Sequence, residues 1–196
     1  MKQGQQKAKG HAYERRVAKI LTDVYYPDGS GVMKKTPLSG GWRFPGDIIP
    51  LKFTGKGEEV KIDQSWPFME ECKDYKDVKH FFSGLYSKDS QVFEWMDTAE
   101  RDSVLKGGNK IPLVIFKLYR QKDVVILDGY SFHRLEDMFG VPNCCFFFLR
   151  KIKQGLLVRK LVFLLLTDFI DWIDFEVFKA SGNVNYIKSL IKRSGD

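Results

Sequence analysis

Cysteine and histidine are scarce in this 196-residue chain, with three of each. Cys144 and Cys145 are adjacent and Cys72 stands alone, so there is no CxxC pair and no Cys/His spacing that would build a zinc site. Such a sparse, odd set argues against a disulfide framework and for a reducing compartment. Long apolar runs are also missing. The longest, Leu161 to Leu166, is preceded by Arg159 and Lys160 and followed closely by Asp168, and is too short to span a bilayer. The N-terminus, MKQGQQKAKGHAYERR, has no apolar stretch of the signal-peptide kind. These absences predict a cytoplasmic protein with no membrane association and no small-molecule cofactor site of recognisable pattern.

What is present is positive charge, unevenly placed. The net charge is +7. Residues 1–61 hold 12 Lys/Arg against 6 Asp/Glu, whereas the remainder holds 20 against 19. A basic N-terminal third suits a polyphosphate ligand, because each neutralised phosphate releases condensed counterions. Charge alone leaves a merely basic surface as an equal alternative.

Apolar residues at Tyr13, Val17, Ile20, Leu21 and Val24 recur every three to four positions, predicting a helix from about Lys9 to Tyr26 after a polar, basic tail at residues 1–9. Pro27, Gly29 and Gly31 end it. Short strands are expected over 32–36, 47–51 and 67–73, with a glycine-rich loop, SGGWRFPG, at 39–46 and a charged turn at 56–59. A helix follows over 89–106, then a hairpin of two strands at 112–119 and 123–127, and a short helix at 131–139. Two further β-like runs, 144–149 and 156–166, precede a tail that is helical twice, broken at Ser181–Gly182. The order predicts an α/β fold, a mixed central β-sheet flanked by helices, with a core at 1–139 and a C-terminal β/α extension at 140–196.

Three side chains carry the chemical argument. Glu71 and Lys73 stand two apart in an extended segment, so they project from the same face. Asp47 opens the preceding strand and reaches that face if the two strands pair as a hairpin. Two carboxylates bind a hard cation through oxygen, and Mg²⁺ prefers such a site with several waters retained. A metal so held polarises a phosphoryl oxygen and lowers the pKa of a bound water. Lysine orients that water or offsets developing negative charge. The Cys72 carbonyl, between Glu71 and Lys73, can complete the metal shell. Glu14 borders the buried side of the first helix, where a carboxylate is costly unless paired or metal-linked. The set points to metal-assisted phosphodiester hydrolysis, with Mg²⁺ as cofactor and Mn²⁺ as its substitute.

Several neighbours are candidates for nucleic-acid contact: Lys9, His11, Arg15, Arg16, Lys34, Lys35, Trp42 and Arg43. Each has a plain alternative. Lys34 and Lys35 could form a solvated face, His11 could simply be exposed, and Trp42 could pack inward. Ser39 could touch a phosphate or serve as a turn residue before Gly40–Gly41.

The ordered set KGHAYERRVAKIL, TPLSGGWRFPGDII and FMEECK resembles the archaeal and phage Holliday-junction resolvases of the PD-(D/E)xK nuclease superfamily, over roughly residues 9–127. In that pattern a helical glutamate follows Lys-Gly, a serine sits in a loop, an Asp opens a strand, and Glu-x-Lys follows. Here these are Glu14 after Lys9-Gly10, then Ser39, Asp47, Glu71 and Lys73. The resemblance implies a restriction-endonuclease-like core, Glu14 and Ser39 as members of the catalytic set, Glu14 reaching the metal through water, a homodimer, and paired nicks in branched DNA. Two departures stand out. Asp47 and Glu71 are 24 residues apart, somewhat long for the pattern, and Pro50 suits an edge strand. A restriction-type or repair nuclease acting on duplex, or a DNA-binding module without catalysis, are the competing readings.

Overall fold

The computed structural model describes residues 3–37, 46–54, 59–75, 90–105, 110–118, 121–144, 146–153 and 156–181. The elements in order are α1 (Gln3–Tyr25), β1 (Gly31–Lys35), β2 (Ile48–Thr54), β3 (Glu59–Ile62), β4 (Phe68–Tyr75), α2 (Gln91–Leu105), β5 (Ile111–Leu118), β6 (Asp123–Asp128), α3 (Gly129–Phe139), β7 (Phe147–Lys153), β8 (Leu156–Leu165), α4 (Leu166–Trp172) and α5 (Phe175–Ser181). α1 starts at Gln3, so most of the polar segment read as a tail belongs to its first turns. Among the described residues no helix is long and apolar enough to cross a membrane.

Among the described residues five strands form the central sheet in the order β4-β5-β6-β8-β7. β4 and β5 run parallel, joined by a crossover that contains α2, and the other pairs are antiparallel. The sheet is therefore mixed. β5 reads as a nearly unbroken apolar run because both its faces are covered. Leu113 and Ile115 point to one side, where α1, α3, α4 and α5 contribute Val17, Leu21, Phe132, Phe169 and Phe178. Val114 and Phe116 point to the other, against Phe93, Trp95 and Met96 of α2. The fold is the expected α/β one, a mixed central sheet flanked by helices.

The C-terminal helices pack against the first of these faces through aromatic rings. Trp66 stacks on Phe175 with 5.6 Å between centroids, and Phe68 meets Phe169 and Phe178 edge-on at 5.4 and 5.9 Å. Such pairs add roughly 0.5–1.5 kcal/mol each beyond the area they bury. They brace the start of β4, the strand that carries Glu71 and Lys73.

A second, three-stranded antiparallel sheet, β1-β2-β3, lies beside β4. Here the structure departs from expectation twice. Residues 59–62, which begin at the last residue of the segment read as a charged turn, form β3. This makes β2 the middle strand of its sheet, so Pro50 is not on an edge. The ladder tolerates the proline because its missing N–H faces a place where pairing has ended. The Pro50 carbonyl accepts from the Asp63 amide at 3.0 Å, one residue past the end of β3. On the other side the partner residue, Met33, donates its N–H to the Thr22 hydroxyl of α1 at 2.8 Å. Gly31 is required where α1 turns into β1: a Cβ there would lie 2.5 Å from the Leu51 carbonyl and 2.6 Å from the Tyr26 ring.

Candidate active site on the open edge of β4

Among the described residues β4 pairs with β5 alone, and Asp47 approaches its other side. Gly46, at φ 80°, makes that approach possible. A Cβ at Gly46 would stand 3.0 Å from both the Glu70 carbonyl oxygen and the Met69 side chain, so the left-handed turn and the close passage both call for glycine. Asp47 then donates its N–H to the Glu70 carbonyl at 2.7 Å, and its own carbonyl accepts from the Thr36 amide at 2.9 Å. Its carboxylate oxygen Oδ2 accepts from the Cys72 amide at 2.8 Å. Asp47 therefore reaches β4 by bridging across an open edge. The hairpin expected between its strand and β4 does not form, because β3 intervenes and β2 and β4 belong to different sheets.

Along a strand, alternate residues turn their backbone polar groups to the same edge. The Glu70 carbonyl and the Cys72 amide both face Asp47, so the Cys72 carbonyl opens to that edge too. Glu71 and Lys73 share a side-chain face, and the Lys73 ammonium donates to Glu71 Oε1. The next residue inward, Glu70, points the opposite way. It is fully buried, accepts from the Trp66 indole N–H, and leaves Oε2 with no hydrogen-bond partner. Burial pushes its carboxyl up to about 7, against the pull of Lys110 and the Trp66 bond.

Glu14 arrives from α1. It is 8 % exposed, as is Asp47. Lys35 Nζ stands 3.3 Å from Glu14 Oε2, although without hydrogen-bond geometry, and donates to the Thr36 carbonyl at 3.2 Å. Asp47 responds to this company. Burial, then the charge of Glu71, and further the charge of Glu14 push its carboxyl up to about 7, with the Cys72 amide and Lys73 pulling down. Lys73 is held in its charged form by Glu71 and Asp47, which outweigh its burial.

The described residues contain no group of three His, Cys, Asp or Glu side chains placed as a ready-made metal cage. The donor set nevertheless fits a divalent cation of the hard, oxygen-preferring kind. The Asp47 carboxylate feels the charge of Glu71 and is uncomfortable as an anion there, and the Cys72 carbonyl opens to the edge that Asp47 occupies.

The other predicted residues divide sharply. Arg15, Lys34 and Lys35 line a groove between α1 and β1, floored by Ala18, Thr22, Val32 and Met33. Lys19, one turn beyond Arg15, joins them; its i+4 spacing on the basic helix is a signal available in the sequence. Arg16 lies elsewhere. It is ion-paired with Asp123 at the start of β6, which also accepts from the Tyr13 hydroxyl at 3.2 Å. Lys9 is exposed and His11 half-buried on α1, ahead of Glu14. Ser39, Trp42 and Arg43 lie outside the described residues.

Comparison with known proteins agrees with this geometry at the level of the superfamily. No curated protein and no solved structure matches the chain. The model of one family, described as "Phage putative PDDEXK endonuclease", matches residues 5–177, from the first turns of α1 into α5. With nearly its whole described length so matched, and an Asp and a Glu-x-Lys meeting at one strand edge, the chain belongs to this phage PD-(D/E)xK endonuclease family.

Proposed function

We propose that the chain is a divalent-metal-dependent DNA endonuclease that hydrolyses phosphodiesters at Asp47, Glu71 and Lys73, with Mg²⁺ as the physiological ion and Mn²⁺ as its substitute. The observation that carries the proposal is the Asp47 carboxylate bonded to the Cys72 amide, between Glu71 and Lys73. A binding module without catalysis has no reason to hold two acids where a phosphate must approach, since they repel it.

Asp47 Oδ2 is fixed by Cys72, which leaves Oδ1 for a cation. Glu71 gives Oε1 to Lys73 and keeps Oε2. The Cys72 carbonyl is the third donor, and Glu14 borders the site as a partner for ion-bound water. A divalent ion bound there would polarise a phosphoryl oxygen and lower the pKa of a coordinated water. Lys73 places its ammonium on the same face, where it orients the attacking water and offsets charge on the phosphate. Glu71 keeps that ammonium in place. The groove of Arg15, Lys19 and Lys34 receives the DNA backbone beside the site, each contact being sequence-independent.

For the substrate, we propose four-way junctions, cut by paired nicks from a homodimer. The support is the ordered pattern of Glu14 behind Lys9-Gly10, Asp47 and Glu-x-Lys. The second reading is an endonuclease of linear duplex. It is favoured by the matched family, whose description names an endonuclease and no junction. Labelled four-way junction, fork, flap and linear duplex, incubated side by side with and without Mg²⁺, separate the two. Symmetric nicks in the junction with duplex left intact support the first reading. Equal cleavage of duplex supports the second, and no cleavage of any substrate with Mg²⁺ rejects both.

A further inference from the structure

Lys35 occupies an unusual position. Its ammonium lies between a buried carboxylate and a main-chain carbonyl, 3.3 Å from Glu14 Oε2 and 3.2 Å from Thr36 O. The side chain is only 18 % exposed, and that of Glu14 10 %. Thr36, which receives the ammonium, donates its own amide to the Asp47 carbonyl at 2.9 Å. Lys35 thus links α1 to the end of β1, one main-chain hydrogen bond away from Asp47. Apart from this ammonium, Glu14 Oε2 is buried with no hydrogen-bond partner.

We propose that Lys35 is a built-in cation standing beside Glu14 where a second divalent ion would otherwise bind, so that the site takes a single ion. The inference rests on the nuclease reading above and concerns how that site is loaded. Charge balance supports it. With all groups ionised, Glu14, Asp47 and Glu71 face Lys35 and Lys73, leaving one net negative charge. One divalent ion and one phosphodiester bring that sum to zero. A second ion would leave it two charges positive, next to a lysine ammonium 3.3 Å from the carboxylate it would need. Like charges at such distances repel strongly in a partly buried site. Removing the ammonium while keeping the aliphatic stem should therefore open a second ion site at Glu14.

The test is Mn²⁺ binding to the full chain without DNA, followed by the electron paramagnetic resonance of free Mn²⁺ and by calorimetry. Wild type should bind one Mn²⁺ per chain, and Asp47→Asn should lose it. Lys35→Met should bind two, Lys35→Arg one, and Lys35→Met combined with Glu14→Gln one again. Two ions on wild type, both lost with Asp47→Asn, would overturn the role of Lys35 while leaving the Asp47–Glu71 site standing. A single ion on folded Lys35→Met would do the same. No Mn²⁺ bound by folded wild type would overturn both. Should Lys35→Met fail to fold, Glu14→Gln alone decides: it should keep one ion with affinity within about threefold, and loss of that ion would count against the proposal.

Discussion

Asp47 and Cys72 are 25 positions apart and joined by one hydrogen bond, the Cys72 amide donating to Asp47 Oδ2 at 2.8 Å. The bond fixes one oxygen of the acid beside the strand segment that carries Glu71 and Lys73. Asparagine at position 47 can still accept from Cys72 through its amide oxygen, so the fold should survive the change. Asp47→Asn should lower cleavage by about 10³-fold, of the order expected when a preorganised charge is removed from a transition state. DNA binding should be equal or tighter, one repulsive charge being gone. A nicking assay paired with a gel-shift titration checks both; unimpaired nicking would remove Asp47 from the mechanism.

Lys73 and Glu71 should separate by what they cost. Lys73→Met takes away the ammonium and leaves both carboxylates, so cleavage should fall by about 10²-fold or more while ion binding is kept or strengthened. Glu71→Gln should weaken ion binding as well as cleavage. Calorimetric Mn²⁺ titration of the two variants distinguishes these patterns. Equal ion affinity in both would mean that Glu71 does not hold the ion.

The groove between α1 and β1 predicts a difference between adjacent arginines. Arg15→Gln, Lys19→Gln and Lys34→Gln should each reduce the magnitude of the salt slope of DNA binding by about 0.9 per lost duplex phosphate contact. Arg16→Gln should change that slope less and reduce thermal stability instead, since Arg16 and the Tyr13 hydroxyl share Asp123. Affinity measured across a salt series, beside melting curves, tests the contrast. A larger slope change for Arg16 than for Arg15 would place the DNA on the other side of α1.

Glu70 makes a prediction about pH. Burial raises its carboxyl to about 7 in the folded chain, well above the value it has when unfolded. The folded state therefore holds the proton more tightly. The stability this contributes is complete below about pH 4 and is lost as pH rises toward 7. Glu70→Gln can keep the bond from the Trp66 indole and carries no charge. It should flatten this part of the stability profile and stabilise the protein above pH 7. Urea unfolding from pH 4 to 8 measures it, and an unchanged profile would show that Glu70 is not the group responsible.

The proposed site is easier to read in the sequence than the scaffold that assembles it. Glu71 and Lys73 need only the two-residue repeat of a strand, and Asp47 only its place at a strand start. The sequence suggests a hairpin between them, which the fold does not contain, because β3 is a weak signal. Glu59–Ile62 has just Val60 and Ile62 as apolar residues, and both are substantially exposed. A strand that buries so little leaves almost no hydrophobic pattern. The route actually taken, a glycine turn and a side-chain bond to a strand edge, involves main-chain groups that sequence does not display. Arg15 and Arg16 look equivalent for a similar reason: Asp123, which pairs with Arg16, comes from a strand 107 residues away. That Glu70 faces away from Glu71 is legible in the strand repeat. Its partner Trp66 and its full burial emerge only once α4 and α5 close over β4.

The most direct measurement of the central claim is anomalous diffraction from crystals soaked in Mn²⁺. The account predicts one Mn²⁺ contacted by the carboxylates of both Asp47 and Glu71 and by the Cys72 carbonyl. An ion bound elsewhere, or the two carboxylates too far apart to share one, would contradict it.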